Sequence, residues 1–456
     1  MMKVVFAIHH AGAFRSYDGV IRYLCSQGHQ VTVLHGEREK PIRMDRALKA
    51  CLAEMQSCDD GQMYLRKNWV WLANIRELVN CAIYLRPRHP NPSHARRWIN
   101  KVNQPLRFVA KTRTGMKLMA SPRIRRALQR IETVIPPERT ITQWLESNAP
   151  DVVFASPYIS PVSRELEYVK AAQALGFPTV VGVLSWDNLT TKGTFHIMPD
   201  WILVWNDALA KEATELHDVP AKKIFMTGAP VFDFWSEMHP SNDYATFCSQ
   251  VGIHPDQPYI LYLGSSPFIA HDETPFVREF AQRLLESEKT KDISLVVRPH
   301  PTNAAFWQTF KAENVAIWPQ DGEYVDAPEA KQVYYDTLFH STAVVGVNTS
   351  AMLEAAIVDK PCVTIMTEHY RNTQGKVGHF KHLLDADFLE IALSFAEATD
   401  IIAAVRRGRD LKKEQRRRFV REFIRPHGMG LAASQIMAKA IEAAALRKDL
   451  NQIMTA

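Results

Sequence analysis

Short runs of β-branched and other apolar residues alternate with helical stretches along most of the chain. The first run, residues 3–10 (KVVFAIHH), leads through a loop holding Gly12 and Gly19 into an apolar-periodic helix around 20–25. Gly28-His29 and a second run at 31–35 follow. Strand, helix and strand thus fit within about forty residues, the compass of a βαβ unit. Continuous apolar runs mark strands covered on both faces of a parallel sheet. The same signature returns at 151–155 (DVVFA), 179–184, 201–205 and 224–227, with the helical stretch RELEYVKAAQAL after the first of these. A polar stretch at 235–258, containing HPSND and HPDQP, interrupts it and reads as an interdomain connection. A second alternating series occupies 259–263 (YILYL), 295–297, 315–318, 343–347 and 362–366, and a helical tail runs from about 432 to 447.

The chain has 456 residues, too many for one core, since single cores stop growing near ~250–300 residues. The expected fold is α/β, with two Rossmann-like doubly wound domains facing across a cleft and a helical basic insertion in the first. Residues 1–235 form the first domain, 255–430 the second, and 431–456 a helix crossing back to the first. The insertion is 37–150. Within it, Leu65, Trp69, Leu72, Val79 and Ile83 fall at near-helical spacing, and shorter helical patterns follow at 94–102 and 116–131.

Apolar residues at 46% and charged residues at 23% exclude a disordered chain, a collagen repeat and a coiled coil. The apolar run at the N-terminus is short and no small-residue cleavage site follows it, so no secretory signal is expected. No apolar window is long enough to span a bilayer, and the best one, 69–85, carries Arg76 and Glu77. Six cysteines are scattered without a C-x-x-C pair, and Cys25 and Cys362 read as small core residues. Two Asn-x-Ser/Thr triplets, at Asn188 and Asn348, carry no weight in a chain expected to be cytoplasmic and reduced.

Several chemistries lack their motifs. There is no G-x-x-x-x-G-K-[ST] for a P-loop, no G-x-G-x-x-G after the first strand, no H-E-x-x-H and no G-x-S-x-G. The ends of the second-domain strands, by contrast, share a character. YILYL runs into Gly264, Ser265 and Ser266, where a glycine lets the chain turn close to a ligand and successive N–H groups can form an anion nest. SLVV runs into Arg298-Pro-His300-Pro, a cation and an imidazole on a stiff turn. AVVGV runs into Asn348, Thr349 and Ser350 at the start of a helix, with Glu354 one turn in. Singly these are an ordinary loop, a surface turn, an N-cap and a first-turn glutamate. On successive strand ends they describe a seat for a nucleoside diphosphate, Glu354 accepting the ribose hydroxyls.

The stretch HSTAVVGVNTSAMLEAAIVDKPCVTI, together with Arg298-Pro-His300-Pro, resembles the donor-nucleotide segment of GT-B glycosyltransferases, and is similar to their capsule-type, CDP-glycerol glycerophosphotransferase-like branch. The resemblance covers about 1–36 and 150–445 and leaves the insertion outside. It implies that the second domain holds a nucleotide-sugar co-substrate and the first an acceptor, a glycan or a lipid-linked chain. Carried over, Asn348, Thr349 and Ser350 would cradle the phosphates, Glu354 would take the ribose, and Arg298 and His300 would neutralise charge building on the leaving diphosphate. It also implies that no metal or cofactor is needed, and no D-x-D stands here. The loop after residue 366 would meet the donor sugar, through Gln374 and His379, although the family's acidic-Gln pair is absent.

A base for the acceptor hydroxyl must then come from a strand end of the first domain. Asp187, in Trp186-Asp187-Asn188 after the strand at 179–184, is the first candidate and His10 the second. Asp18, Trp186 and Asn188 are candidates for contact with sugar or acceptor. As structural residues, Asp187 would be a turn or N-cap residue and the histidines a core and a surface pair.

Charge is unevenly spread. Residues 66–130 hold 16 Lys or Arg and one acid, Glu77; residues 406–425 hold 10 basic and 3 acidic residues. The rest of the chain, 29 basic against 45 acidic, sums to −16, so a net +6 conceals an acidic body with two cationic regions. For 406–425 a solvated helical face is the expected role. For 66–130 the expected partner is an anionic surface, a cytoplasmic leaflet or a charged lipid-linked acceptor, which would make the protein peripheral at the inner membrane face. Three functions remain open: nucleotide-sugar transfer; the same cleft used for glycerophosphate transfer or sugar-nucleotide epimerisation; and, ranked last, nucleic-acid binding on an α/β scaffold.

Overall fold

The computed structural model describes residues 1–8, 11–36, 45–64, 66, 70–87, 89–160, 163–325, 327–370, 374 and 378–455. It divides into two compact units, Met1–Asp233 with Phe423–Ala456, and Phe234–Glu422. Each contains one sheet whose described strands all run parallel.

In the first unit the strands are β1 (Lys3–Ile8), β2 (Gln30–His35), β3 (Cys58–Gln62), β4 (Val152–Ala155), β5 (Thr179–Gly182), β6 (Trp201–Val204) and β7 (Ile224–Met226), in the order β3-β2-β1-β4-β5-β6-β7. Phe6, Phe154, Val180 and Leu203 form the buried face, with Tyr17, Val20 and Leu24 from the helix Asp18–Ser26 and its approach. The helix Ala433–Ala445 returns to this unit and buries Met437 and Ile441 in the same core. All six cysteines are free and buried.

The second unit holds β8 (Tyr259–Leu263), β9 (Ser294–Arg298), β10 (Val315–Ile317), β11 (Ala343–Gly346), β12 (Cys362–Ile365) and β13 (Leu389–Ala392), in the order β10-β9-β8-β11-β12-β13. In both sheets the order reverses beside the first strand, between β1 and β4 and between β8 and β11. Such switch points are where open α/β sheets bind ligands, beyond the carboxyl ends of the strands.

Two strands fall outside the apolar runs. β3 (CDDGQ) lies inside the region expected to be helical, and β13 (LEIA) in a stretch given no strand. Both are edge strands, paired on one side only and partly open to solvent, so neither needs an apolar run. The stretch expected as an interdomain connection also differs: it holds the helix Tyr244–Val251, whose Phe247 and Cys248 are buried, and Ser241 donates to Asp336 within the second unit.

Between residues 70 and 134 the insertion folds as the helices Val70–Tyr84, His94–Ile99, Leu106–Lys111, Arg113–Ala120 and Pro122–Val134, around a core of Ile83, Tyr84, Trp98, Ile99, Ala110 and Met119. Leu65 and Trp69, part of the helical spacing, lie outside the described residues. A buried ionic network ties this cluster to the sheet. Arg76 grips Glu132 through two bonds of 2.8 Å and reaches Glu167 at 2.5 Å, while Lys170 donates to Glu132 at 2.9 Å. Arg76 and Glu132 come from the insertion, Glu167 and Lys170 from the helix Glu165–Ala174 beside β4. All four side chains are buried, so each charge depends on its partners.

Burial works against the Glu132 carboxylate, but Arg76 and Lys170 outweigh it and hold its pKa at about 2. A depressed carboxyl stabilises the fold above its unfolded value, near 4.5, and that contribution disappears as pH falls toward 2. The expected size is about 3 kcal/mol, read as a steep fall in Tm across that window. Glu132→Gln flattens the fall and, at neutral pH, costs about 3–5 kcal/mol because Arg76 and Lys170 lose their shared anion.

Candidate functional site

In the second unit the carboxyl edge gathers the loops after β8, β9, β11 and β12. The approach of the first two depends on Gly264: a β-carbon there would sit 2.8 Å from the His300 nitrogen and 3.2 Å from the Arg298 carbonyl oxygen. The nest expected at residues 264–266 is not available as a whole. The Gly264 N–H already donates to the Arg298 carbonyl at 3.0 Å, and the Ser265 N–H to Glu273 at 2.7 Å. Ser265 is fully buried, its carbonyl accepting from Asn303 at 3.0 Å; Ser266 is part-exposed. Glu273 also accepts from the Tyr262 hydroxyl, and burial, the largest influence on it, pushes its pKa up to about 7. Glu273 and Asn303 are thus the braces of this loop, and the sequence reading found neither.

Arg298 ends β9 with 6% of its surface exposed. Its guanidinium lies 4.3 Å over the ring of Tyr334, and Nη2 donates to the Glu323 carbonyl at 3.3 Å. Nη1 is buried without a hydrogen-bond partner among the described residues. Burial lowers the pKa of this cation, against the pull of Tyr334, Glu354, Glu323 and Asp321. A buried guanidinium with an unpartnered nitrogen is an incomplete ion pair, and a phosphate oxygen is the partner its geometry fits. Tyr334 links it to Glu354, donating its hydroxyl to that carboxylate at 2.7 Å.

His300 follows two residues on. Its Nδ1 faces both the N–H (3.3 Å) and the hydroxyl (2.7 Å) of Thr302, and burial lowers its pKa. An Nδ1 that accepts leaves the proton on Nε2, so the ring serves as a neutral donor. The expectation that it neutralises charge is corrected accordingly.

Beyond β11, Asn348 and Thr349 are buried and Ser350 is exposed. The Asn348 N–H lies 3.5 Å from the Ser265 hydroxyl, joining the two loops at the switch point. Thr349 caps the short helix Ala351–Ile357 by accepting from the Ala351 N–H, a role expected to be shared with Ser350. Gln374 differs from its expected part in sugar contact. It is fully buried, and its amide donates to Val347, Thr364 and Ile365 at 2.7–3.2 Å, pinning the ends of β11 and β12. His379 is part-buried on the turn Gly378–Phe380.

In the first unit Asp187 follows β5, and its Oδ2 pairs with Lys192 at 3.1 Å and accepts from Thr191 at 3.1 Å. His10 lies outside the described residues. Asn188 is a brace rather than a ligand contact: buried, it accepts from the Ser185 N–H at 2.6 Å and donates to the Ile159 carbonyl at 3.1 Å, tying this loop to the one after β4. Trp186 is buried, and Asp18 opens its helix paired with Arg22 at 2.7 Å. The insertion, outside the resemblance, turns out to hold the Asp187 loop. Tyr84 accepts from Gly193 at 3.1 Å, Asn80 from Thr194 at 3.1 Å, and Asn91 donates to Thr190 at 3.0 Å. With them comes His94, its ring 5.6 Å from that of Tyr84 and its Nδ1 buried without a partner among the described residues. Burial, then Arg97 and Lys192, lower its pKa, while Asp187 draws it up. The Pro-rich segment RHPNPSH was the one available signal for it.

Two all-parallel units of Rossmann order are the make-up of the GT-B fold. The chain belongs to the family described as CDP-Glycerol:Poly(glycerophosphate) glycerophosphotransferase, whose model matches residues 192–439. No curated protein matches it. Among solved structures it is similar to the UDP-GlcNAc 2-epimerase of Neisseria meningitidis bound to UDP-GlcNAc, with TM-score 0.55 and 13% identity over 98% of this chain and 100% of that one. A glycosyltransferase of Rickettsia africae gives 0.53 and 9% over 97% and 98%. The calicheamicin glycosyltransferase CalG4 gives 0.51 and 13% over 98% of each chain. At these identities the likeness is one of fold.

Arg298→Met tests the incomplete ion pair directly. Removing a desolvated cation is expected to leave the free protein as stable as before, or more stable by up to about 3 kcal/mol, in chemical denaturation. Destabilisation by that amount would mean that Arg298 holds the fold rather than waiting for an anion.

Proposed function

We propose that this protein transfers a sugar from a nucleotide-sugar, held at the carboxyl edge of the second unit, to a hydroxyl of a surface-polysaccharide or lipid-linked acceptor bound by the first. The observation that carries the reading is Arg298, buried and lacking a partner for one nitrogen, beside the neutral donor His300. As the bond from the anomeric carbon to the diphosphate oxygen breaks, negative charge grows on the leaving nucleoside diphosphate. A fixed guanidinium in a dry site stabilises that charge without reorganising. Glu354, one hydrogen bond from Tyr334, is our assignment for the ribose. Asp187, whose charge also acts on His94, is our assignment for the group that takes the acceptor proton. The fixed cation performs the work a metal would do, and we read the transfer as metal-independent. A lipid-linked acceptor would make the protein peripheral at the inner face of a membrane.

Family membership favours a second reading, transfer of glycerol phosphate from CDP-glycerol. There the acceptor oxygen attacks phosphorus, the bond between the two phosphates breaks, and CMP leaves. Epimerisation of a nucleotide-sugar would need no acceptor at all.

The released nucleotide separates these chemistries. Thermal-shift screening against UDP-, GDP-, CMP- and CDP-linked compounds finds the donor, and chromatography of the reaction mixture identifies the product. A nucleoside diphosphate supports sugar transfer; CMP from CDP-glycerol supports the second reading; stabilisation by none of them counts against both. With the donor in hand, Arg298→Met should lower kcat/KM by about 100- to 1,000-fold, and EDTA should leave the rate unchanged. Asp187→Asn should lower kcat by at least about 100-fold, and an unchanged kcat would remove Asp187 from the proton transfer.

A further inference from the structure

The cations of the insertion are of two kinds. Arg66, Arg76, Arg86 and Arg125 turn inward to ion pairs with Glu167, Glu132 and Asp218. Lys111, Arg113, Lys117, Arg123, Arg126 and Arg130 are exposed on the helices Leu106–Lys111, Arg113–Ala120 and Pro122–Val134 and make no ion pair among the described residues. No acid occurs between Glu77 and Glu132 to balance them.

The same three helices expose apolar side chains that a solvated face has no use for. Phe108 is 77% exposed, Val109 60%, Leu118 53% and Leu106 48%, with Ile124 beside them in sequence order at 37%. Their outward placement follows from what faces in. Ala110 and Met119 are buried in the core around Trp98. Gly115 is packed so closely that a β-carbon would fall 2.3 Å from the Val109 carbonyl oxygen. With those positions turned inward, the neighbouring Phe108, Val109 and Leu118 are left uncovered by the described residues.

We propose that these three helices form a docking surface for an anionic lipid bilayer, the apolar side chains entering the headgroup boundary and the cations pairing with lipid phosphates. The chemistry separates this partner from two others. A nucleic acid would answer the cations and could stack on the exposed Phe108 or Trp71, but it offers aliphatic Leu106, Val109, Leu118 and Ile124 nothing, and Trp98 is buried. A second copy of the chain would bring six like charges against six. An anionic leaflet meets both the charge and the apolar surface at once. The docking does not depend on the transfer chemistry, so nucleotide binding and bilayer binding fail independently.

The test is co-sedimentation of the full chain with vesicles of phosphatidylglycerol and phosphatidylethanolamine, against vesicles of phosphatidylcholine alone. Binding is expected to the first only and to weaken with added salt. Phe108→Ser with Val109→Ser should cut partitioning by about tenfold or more with Tm unchanged. Lys111→Gln with Lys117→Gln should cut it by about 25-fold, about fivefold for each charge. Arg298→Met should bind vesicles like the parent. The proposal is overturned by equal binding to both vesicle types, or by insensitivity to the Phe108 and Val109 changes. It is also overturned if those residues mediate RNA binding, or dimerisation in sedimentation velocity, while vesicles are ignored.

Discussion

The strand-end groups of this protein lie where they do because the strands of each sheet run parallel. A parallel sheet covered on both faces can hold little but apolar side chains, and its backbone groups are used up in the ladder. Polar chemistry is therefore pushed off the strands to their ends, and parallel direction sends all the carboxyl ends to one edge. Arg298 at the end of β9, Asn348 after β11 and Gly264 after β8 are far apart in sequence and neighbours for this reason alone. The braces obey the same logic. Glu273, Asn303 and Gln374 are buried polar residues, and each satisfies backbone groups that the strand ends leave over.

Buried charge does comparable work for the insertion. Two cations and two carboxylates, Arg76, Lys170, Glu132 and Glu167, cross from the helical cluster to the sheet and leave no charge unmatched among themselves. The neighbouring loop bonds from Asn80, Tyr84 and Asn91 then carry the Asp187 segment. A region that lies outside the family match in this way helps to shape the carboxyl edge of the first unit. It also shows why a count of cations says little by itself: some of the insertion's arginines are the glue of its attachment, and only the remainder face solvent.

The interior strands were legible because they must be apolar on both faces, and runs such as YILYL or AVVGV admit few other accounts. β3 and β13 were not, since an edge strand with one paired side tolerates CDDGQ or LEIA. At the second edge the strand-end residues Gly264, Arg298, His300 and Asn348 were found from their position after an apolar run. Their roles were less legible. In sequence, a polar loop residue that faces a ligand looks like one that ties the loop to its own strand, so Gln374 and Asn188 read as ligand contacts and prove to be pins. His300 was read as a charge because its tautomer is set by Thr302, through a bond that sequence does not display. Glu273 and His94 left little trace, the first in a stretch that opens a helix, the second in the Pro-rich RHPNPSH outside the family match.

Gly115 has a consequence of a different kind. With no space for a β-carbon against the Val109 carbonyl, the two short helices meeting there pack backbone against backbone, and the outward side chains of Phe108 and Leu118 are already placed in the folded chain. The conformational entropy of ordering that corner is lost once, when the chain folds, and is not charged again at each encounter. An amphipathic segment that folds on arrival must give up that freedom every time it binds. Docked as proposed, this one would arrive already shaped, which leaves selectivity to charge and apolar surface.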